Sequence, residues 1–216
     1  MSNIETRDVV EELANSITHG IGLALSVVGL VALVALSIVR GNAWHIVGCT
    51  TFGVTLVLLY AASTMYHTFH TPRLKRILKV FDHTAIFLLI AGTYTPFTLV
   101  NLRGFWGWVL FALVWGLCVF GIVWKLFHAE RFPIVTTLLY IAMGWVVLIA
   151  VKPLLAAVPL SGIVWLLAGG LCYTVGVLFY AVKRVPYNHA IWHVFVMGGS
   201  ICHYFAVMFY VLPGRS

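Results

Sequence analysis

The chain has 216 residues, of which 62% are hydrophobic and 9% charged, and 13 Lys and Arg against 6 Asp and Glu give a net charge of +7. Soluble domains run at about 45–50% apolar and about 25% charged residues, so this composition excludes a soluble globular domain, a disordered chain, a secreted disulfide scaffold and a nucleic-acid-binding module. The bases punctuate apolar runs, where they act as topology signals facing anionic lipid headgroups.

Stretches of 19 or more residues without Asp, Glu, Lys or Arg occupy 13–39, 41–72, 83–102, 104–124, 132–151, 153–182 and 185–214. About 20 apolar residues make a helix that crosses ~30 Å of hydrocarbon, so the seven runs predict an all-α integral membrane protein, a seven-transmembrane-helix bundle. Continuous runs such as Leu30–Leu36 lack the period-two alternation of a membrane β-barrel. Residues 1–16 are acidic (Glu5, Asp8, Glu11, Glu12) with Arg7 as their only base, unlike the positive start of a secretory signal. They are expected to form a short cytoplasmic segment before a retained first helix, with 1–216 a single membrane domain. Four cysteines (Cys49, Cys118, Cys172, Cys202) lie inside apolar runs without C-x-x-C spacing and read as small core residues.

The N-terminus and the loops after runs two, four and six hold nine bases: Arg7, Arg73, Lys75, Arg76, Lys79, Lys125, Arg131, Lys183 and Arg184. Arg40, Arg103, Lys152 and Arg215 fall on the other side. The positive-inside rule then puts the N-terminus in the cytoplasm and the C-terminus outside, opposite to rhodopsin-type receptors. Run 185–214 has no lysine for a Schiff base, which sets aside a microbial retinal protein.

With that orientation, the intramembrane polar residues gather at the cytoplasmic boundary. In run one, Glu12, Asn15 and His19 share a helix side through spacings of three, four and seven. Run two ends with Ser63 and His67, four apart on one face with the serine ~6 Å deeper. Run three opens with Phe81-Asp82-His83, and Asp82 is the only acid between Glu12 and Glu130. Run seven opens with the i, i+4 pair His189 and His193. Two histidines so spaced can hold one zinc ion together, and a third from a facing helix leaves an open tetrahedral position, as in catalytic sites. Asp82 would orient a ligand or accept a hydrogen bond from water on the ion, and Ser63 would bond that water or a polarised carbonyl. The plainer reading makes the histidines and Ser63 interhelical hydrogen-bonding groups. It is weakest for Asp82, because an intramembrane acid costs ~2.5–3.5 kcal/mol on insertion scales.

Elsewhere the sequence predicts architecture. Pro96 should kink helix three. Glycines 20, 22, 29, 169, 170, 198 and 199 permit close helix approach, and Trp44, Trp106 and Trp108 suit an interfacial belt. His45 and His70 are expected to snorkel to the headgroups, His83 to point away from the face of Asp82 and Tyr94 to pack. His203, ~15 Å further outward than His193, is expected to lie outside the site.

The combination Glu12-x-x-Asn15-x-x-Thr18-His19, Ser63-x-x-x-His67, Phe81-Asp82-His83 and His189-x-x-x-His193 resembles the progestin and adipoQ receptor family. Gly92-Thr-Tyr-Thr-Pro96 and the short acidic N-terminus look like its bacterial haemolysin III branch, described as membrane-homeostasis proteins. The resemblance implies a seven-helix fold in the bacterial plasma (inner) membrane with a zinc ion near the cytoplasmic face. It also implies His67, His189 and His193 as ligands, Asp82 beside the zinc-bound water, Ser63 nearby, and kinship with alkaline ceramidases that hydrolyse lipid amides. The long N-terminal region of the animal receptors has no counterpart, so a hormone-receptor role is not carried over.

Three functions compete at this stage. A zinc-dependent lipid amide or ester hydrolase would use Asp82 as base and Ser63 as an oxyanion or water contact. A sensor of lipid or membrane state would use the zinc structurally, with Asp82 as a fourth ligand. A pore or haemolysin-type cytolytic protein is least favoured, because few polar residues continue through the outer half. Membrane lipids are the expected partners in each case.

Overall fold

The structure, a computed structural model, describes residues 3–128, 132–182 and 184–212, with side chains from residue 9 onward. The described residues contain helices and no strands, and seven helical spans are long and apolar enough to cross a membrane. In chain order these are α1 (Asn3–Arg40), α2 (Ala43–Thr68), α3 (Pro72–Pro96) continued by a π-helical turn (Phe97–Asn101), and α4 (Phe105–His128). The fifth span is composite: α5 (Pro133–Gly144), a 3-10 segment (Val146–Ala150) and α6 (Val151–Ala157). The bundle ends with α7 (Leu160–Ala181) and α8 (Asn188–Tyr210).

The charge-free runs mark the spans but not all of the helix ends. The first helix begins at Asn3, so most of the acidic segment is helical. Pro72 opens α3 at the first helical positions, where its missing N–H costs nothing. Arg73, Lys75, Arg76 and Lys79 therefore lie on helix α3 and not in a loop. The fifth span passes Lys152 and ends only at Val158 and Pro159, because a lysine near a helix end can extend its ammonium to the interface. Charge marks the edge of the hydrocarbon, whereas proline and capping mark the end of the helix.

His45 does not snorkel. It caps α2: the Asn42 backbone N–H donates to His45 Nδ1 at 3.2 Å, and Trp44 N–H donates to Asn42 Oδ1 at 2.9 Å. His70 is exposed. At Pro96 the α-helical ladder loses its donor and is succeeded by the π turn, in which Leu102 N–H donates to Phe97 O at 2.8 Å. Tyr94 does more than pack. Its hydroxyl donates to Gly144 O at 2.6 Å and accepts from Val147 N–H at 3.0 Å, satisfying backbone groups where α5 breaks.

Successive spans pack side by side, and α8 closes the ring against α1. Small residues set the approaches: a Cβ on Gly22 would lie 2.6 Å from the Tyr60 ring, on Gly29 2.8 Å from Tyr204, on Gly169 2.5 Å from His203 and on Gly199 2.8 Å from Tyr173. Gly20, Gly170 and Gly198 have only ordinary clearances of 3.7 Å or more, so close approach does not require them. The ring encloses a cavity of about 640 Å³ between α3, the fifth span, α7 and α8. Its lining is largely apolar, and it extends from Ser63 and Asp82 towards Leu110 and Leu154.

Candidate metal centre

At one end of the bundle the start of α1, the end of α2 and the start of α8 converge. The Asn188 side-chain amide donates to Phe179 O and Tyr180 O, each at 3.2 Å, so the first residue of α8 ties that helix to the C-terminal carbonyls of α7. The next residue is His189, and one turn later His193 repeats its face. His67 reaches them from the last turn of α2.

One ligand nitrogen from each of His67, His189 and His193 lies within 4.8 Å of the other two. Their ring centroids are 4.6–5.0 Å apart. Ions with ~2.0–2.1 Å metal–nitrogen bonds hold their nitrogens ~3.4 Å apart in a tetrahedral set, so small side-chain rotations suffice to bind one. Hydrogen bonding also leaves the right atoms available. His67 Nδ1–H donates to Glu12 Oε2 at 2.7 Å, and Lys75 Nζ donates to Glu12 Oε1 at 2.9 Å. His67 Nε2 then keeps its lone pair, buried and without a hydrogen-bond partner among the described residues. His193 Nδ1–H points to Asn15 O at 3.3 Å and Thr18 Oγ1 at 3.2 Å, which leaves its Nε2 as the acceptor. Carboxylate and carbonyl partners on the distal nitrogen are the usual outer support of metal-bound histidine. The residues present therefore fit a metal ion.

The surrounding polar groups occupy defined places. His19 stacks on His193 with centroids 3.5 Å apart and meets the edge of Tyr60 at 5.0 Å. Both His19 ring nitrogens, Asn15 Oδ1 and Ser63 Oγ are buried without a hydrogen-bond partner among the described residues. Ser63 and Asp82 line the cavity beside His189 and His193. Asp82 stands outside the set of mutually close ligand atoms.

Two sequence expectations change here. His83 does not point away: it lines the same cavity as Asp82, with Nδ1–H donating to Lys79 O at 2.7 Å and its own carbonyl accepting from Tyr140 OH at 2.8 Å. His203 is outside the three-histidine set, as expected, yet it lines the far part of the cavity, where its Nδ1–H donates to Gly199 O at 3.0 Å. Lys125, read from the sequence as a topology signal, also faces the cavity and is 4% exposed. A signal for it existed: Val114, Cys118, Gly121 and Lys125 repeat at helical spacing, and they form the buried face of α4.

Comparison with known proteins now bears on this geometry. Residues 7–204 match the haemolysin-III related family. The chain belongs to that family. It is 48% identical to "Hemolysin-3" of Bacillus cereus over 98% of this chain and 96% of that protein. It is also 48% identical to the "Hemolysin-3 homolog" of Bacillus subtilis (strain 168) over 94% of this chain and 95% of that protein. A more distant similarity, 27% identity over 93% of this chain and 84% of the relative, links it to the human "Monocyte to macrophage differentiation factor". The haemolysin III branch of the progestin and adipoQ receptor family, resembled in the motifs, is thus where the chain stands.

Proposed function

We propose that this haemolysin-III family protein is a zinc-dependent hydrolase of a membrane-lipid amide or ester, serving lipid and fluidity homeostasis in the bacterial plasma membrane with its N-terminus and metal centre at the cytoplasmic side. One observation carries the reading: three histidine nitrogens converge, and two of those residues, His189 and His193, line a largely apolar cavity of about 640 Å³ that also presents a carboxylate and a serine hydroxyl. Three neutral imidazoles suit zinc and leave a fourth position open, and the place of Asp82 outside the ligand set supports a role other than ligand. Zinc, when bound, supplies a Lewis acid that activates water near neutral pH.

The chain's own groups would do the rest. The apolar cavity takes the lipid chain and excludes bulk water. Asp82 accepts a proton from the attacking water as the new C–O bond forms, and it returns that proton to the amine or alcohol as the carbonyl C–N or C–O bond breaks. Ser63, which lines the cavity together with Asp82, donates to the carbonyl oxygen as negative charge develops there. Glu12 holds the His67 ring in the ligating tautomer.

Purified protein without a histidine tag should contain about one zinc per chain and release fatty acid from a panel of lipid amides and esters. Asp82→Asn should keep its zinc and lose ~10²–10⁴-fold in turnover, since an amide cannot take the proton. Full zinc occupancy without product from any lipid, or unchanged turnover in Asp82→Asn, would overturn the hydrolase and leave zinc as a structural tie between helices.

A further inference from the structure

The far part of the cavity holds polar groups that hydrolysis does not use. His203 lines it, ten residues beyond His193 on α8, and is 8% exposed. A neutral imidazole has one donor and one acceptor. The donor, Nδ1–H, is committed to Gly199 O at 3.0 Å, so Nε2 carries the lone pair, and no described residue donates to it. The fold makes room for this ring: a Cβ on Gly169 would lie 2.5 Å from it, and Tyr173 stacks on it with centroids 5.5 Å apart. Tyr173 also lines the cavity. Tyr60 OH donates to Ser200 Oγ at 2.8 Å, and Ser200 and Tyr173 share a second hydrogen bond at 2.9 Å. Three hydroxyl protons and two bonds leave one proton uncommitted, on Ser200 or on Tyr173. An acceptor and a donor thus stand side by side in a largely apolar wall, where an unmet polar group is costly.

We infer that His203 and the Tyr60–Ser200–Tyr173 cluster form a hydroxyl subsite, built for a lipid whose acyl chain carries an O–H group far from its carbonyl. An alcohol both donates and accepts, so it satisfies Nε2 and the spare proton together. A ketone only accepts and sets its lone pairs against that of Nε2, and a plain hydrocarbon leaves both protein groups unmet. The position along the chain follows from depth. Ten residues of helix rise ~15 Å, and ~1.52 Å carbon–carbon bonds at tetrahedral angles advance an extended chain ~1.25 Å per carbon. With the carbonyl at the histidine centre, the subsite therefore faces carbon ~12. This deepens the proposed function by naming its substrate class. It rests on the reading that the cavity holds a lipid chain, and neither on zinc nor on turnover.

The probe is tritiated stearate bound to the full-length protein in neutral detergent and displaced by unlabelled chains. These are stearate itself, stearate with a hydroxyl at carbon ~12, the ketone at the same carbon, and stearate with its hydroxyl moved halfway back towards the carboxylate. The first hydroxylated chain should compete ~10-fold more strongly than stearate or the ketone. The chain with its hydroxyl moved back, which sets that group against apolar wall, should compete less well than stearate. His203→Leu should leave stearate binding within ~2-fold of wild type and abolish the hydroxyl preference. Should that variant fail to fold, the four chains on the wild-type protein test the subsite by themselves. Equal competition by hydroxylated and plain chains, a ketone that matches the alcohol, an equal gain at the nearer carbon, or a preference that survives in a folded His203→Leu would each overturn it. Absence of specific stearate binding would overturn the lipid cavity and the subsite together. A hydroxyl preference without product from any lipid would support the subsite while the hydrolase fails, so the two can be told apart.

Discussion

Glu12→Gln tests the logic of the metal centre most directly, because it alters no ligand and scarcely any volume. The carboxylate accepts from two donors, His67 Nδ1–H at 2.7 Å and Lys75 Nζ at 2.9 Å. A glutamine oxygen can still accept from His67, but the amide nitrogen then faces the Lys75 ammonium, donor against donor. The loss removes a charge-assisted hydrogen bond of about 1.5–3 kcal/mol, and outer partners of ligating histidines are worth about 10–100-fold in metal affinity. Glu12 is 28% exposed, so solvent screens part of that, and the low end applies: ~10-fold, or about 1.4 kcal/mol. Adding Lys75→Met should cost little more, because its contact is already lost. Chelator titration of the metal-loaded protein in detergent measures the effect as the concentration that removes half the metal. Equal half-removal points for wild type and a well-folded Glu12→Gln would refute the outer-support role of Glu12.

Other expectations follow from the same structure. His67→Ala and His193→Ala each remove a ligand and should purify without metal; elemental analysis showing wild-type content would dissolve the three-histidine assignment. Gly48→Ala would put a Cβ 2.8 Å from Pro96 Cα, a backbone atom that cannot rotate aside. Thermal unfolding should register about 1–3 kcal/mol of destabilisation, and an unchanged midpoint would mean that α2 and α3 approach less closely than described.

Much of the site was legible before any tertiary contact was known. His189 and His193 declare a shared face by spacing alone, and Asp82 stands out because few uncompensated acids survive in a membrane helix. Less could be read at helix ends and on faces governed by neighbours. Lys125 reads as a topology charge by position along the chain, and only its helical phase with Val114, Cys118 and Gly121 carries it to the buried face of α4. One residue of helical offset, about 100°, separates the directions of Asp82 and His83 on an isolated helix, whereas a cavity of this width collects both. Tyr94 and His45 found backbone partners that no periodicity describes.

By itself, then, the sequence determined the number of membrane spans, the accumulation of polar groups at one boundary and the family. Those properties follow from hydrocarbon thickness and from the cost of burying polar atoms, both of which act on each segment independently. Only tertiary structure decided which nitrogens meet, which imidazole atom stays available and that one cavity joins His189 and His193 to Asp82, Ser63 and two lysines. These depend on the register between helices distant in sequence: α1 supplies Glu12 and the Asn15 carbonyl to histidines on α2 and α8, and Asn188 fixes the position from which His189 starts. That register is set by interhelical packing and polar contacts, and no local property of one helix encodes it.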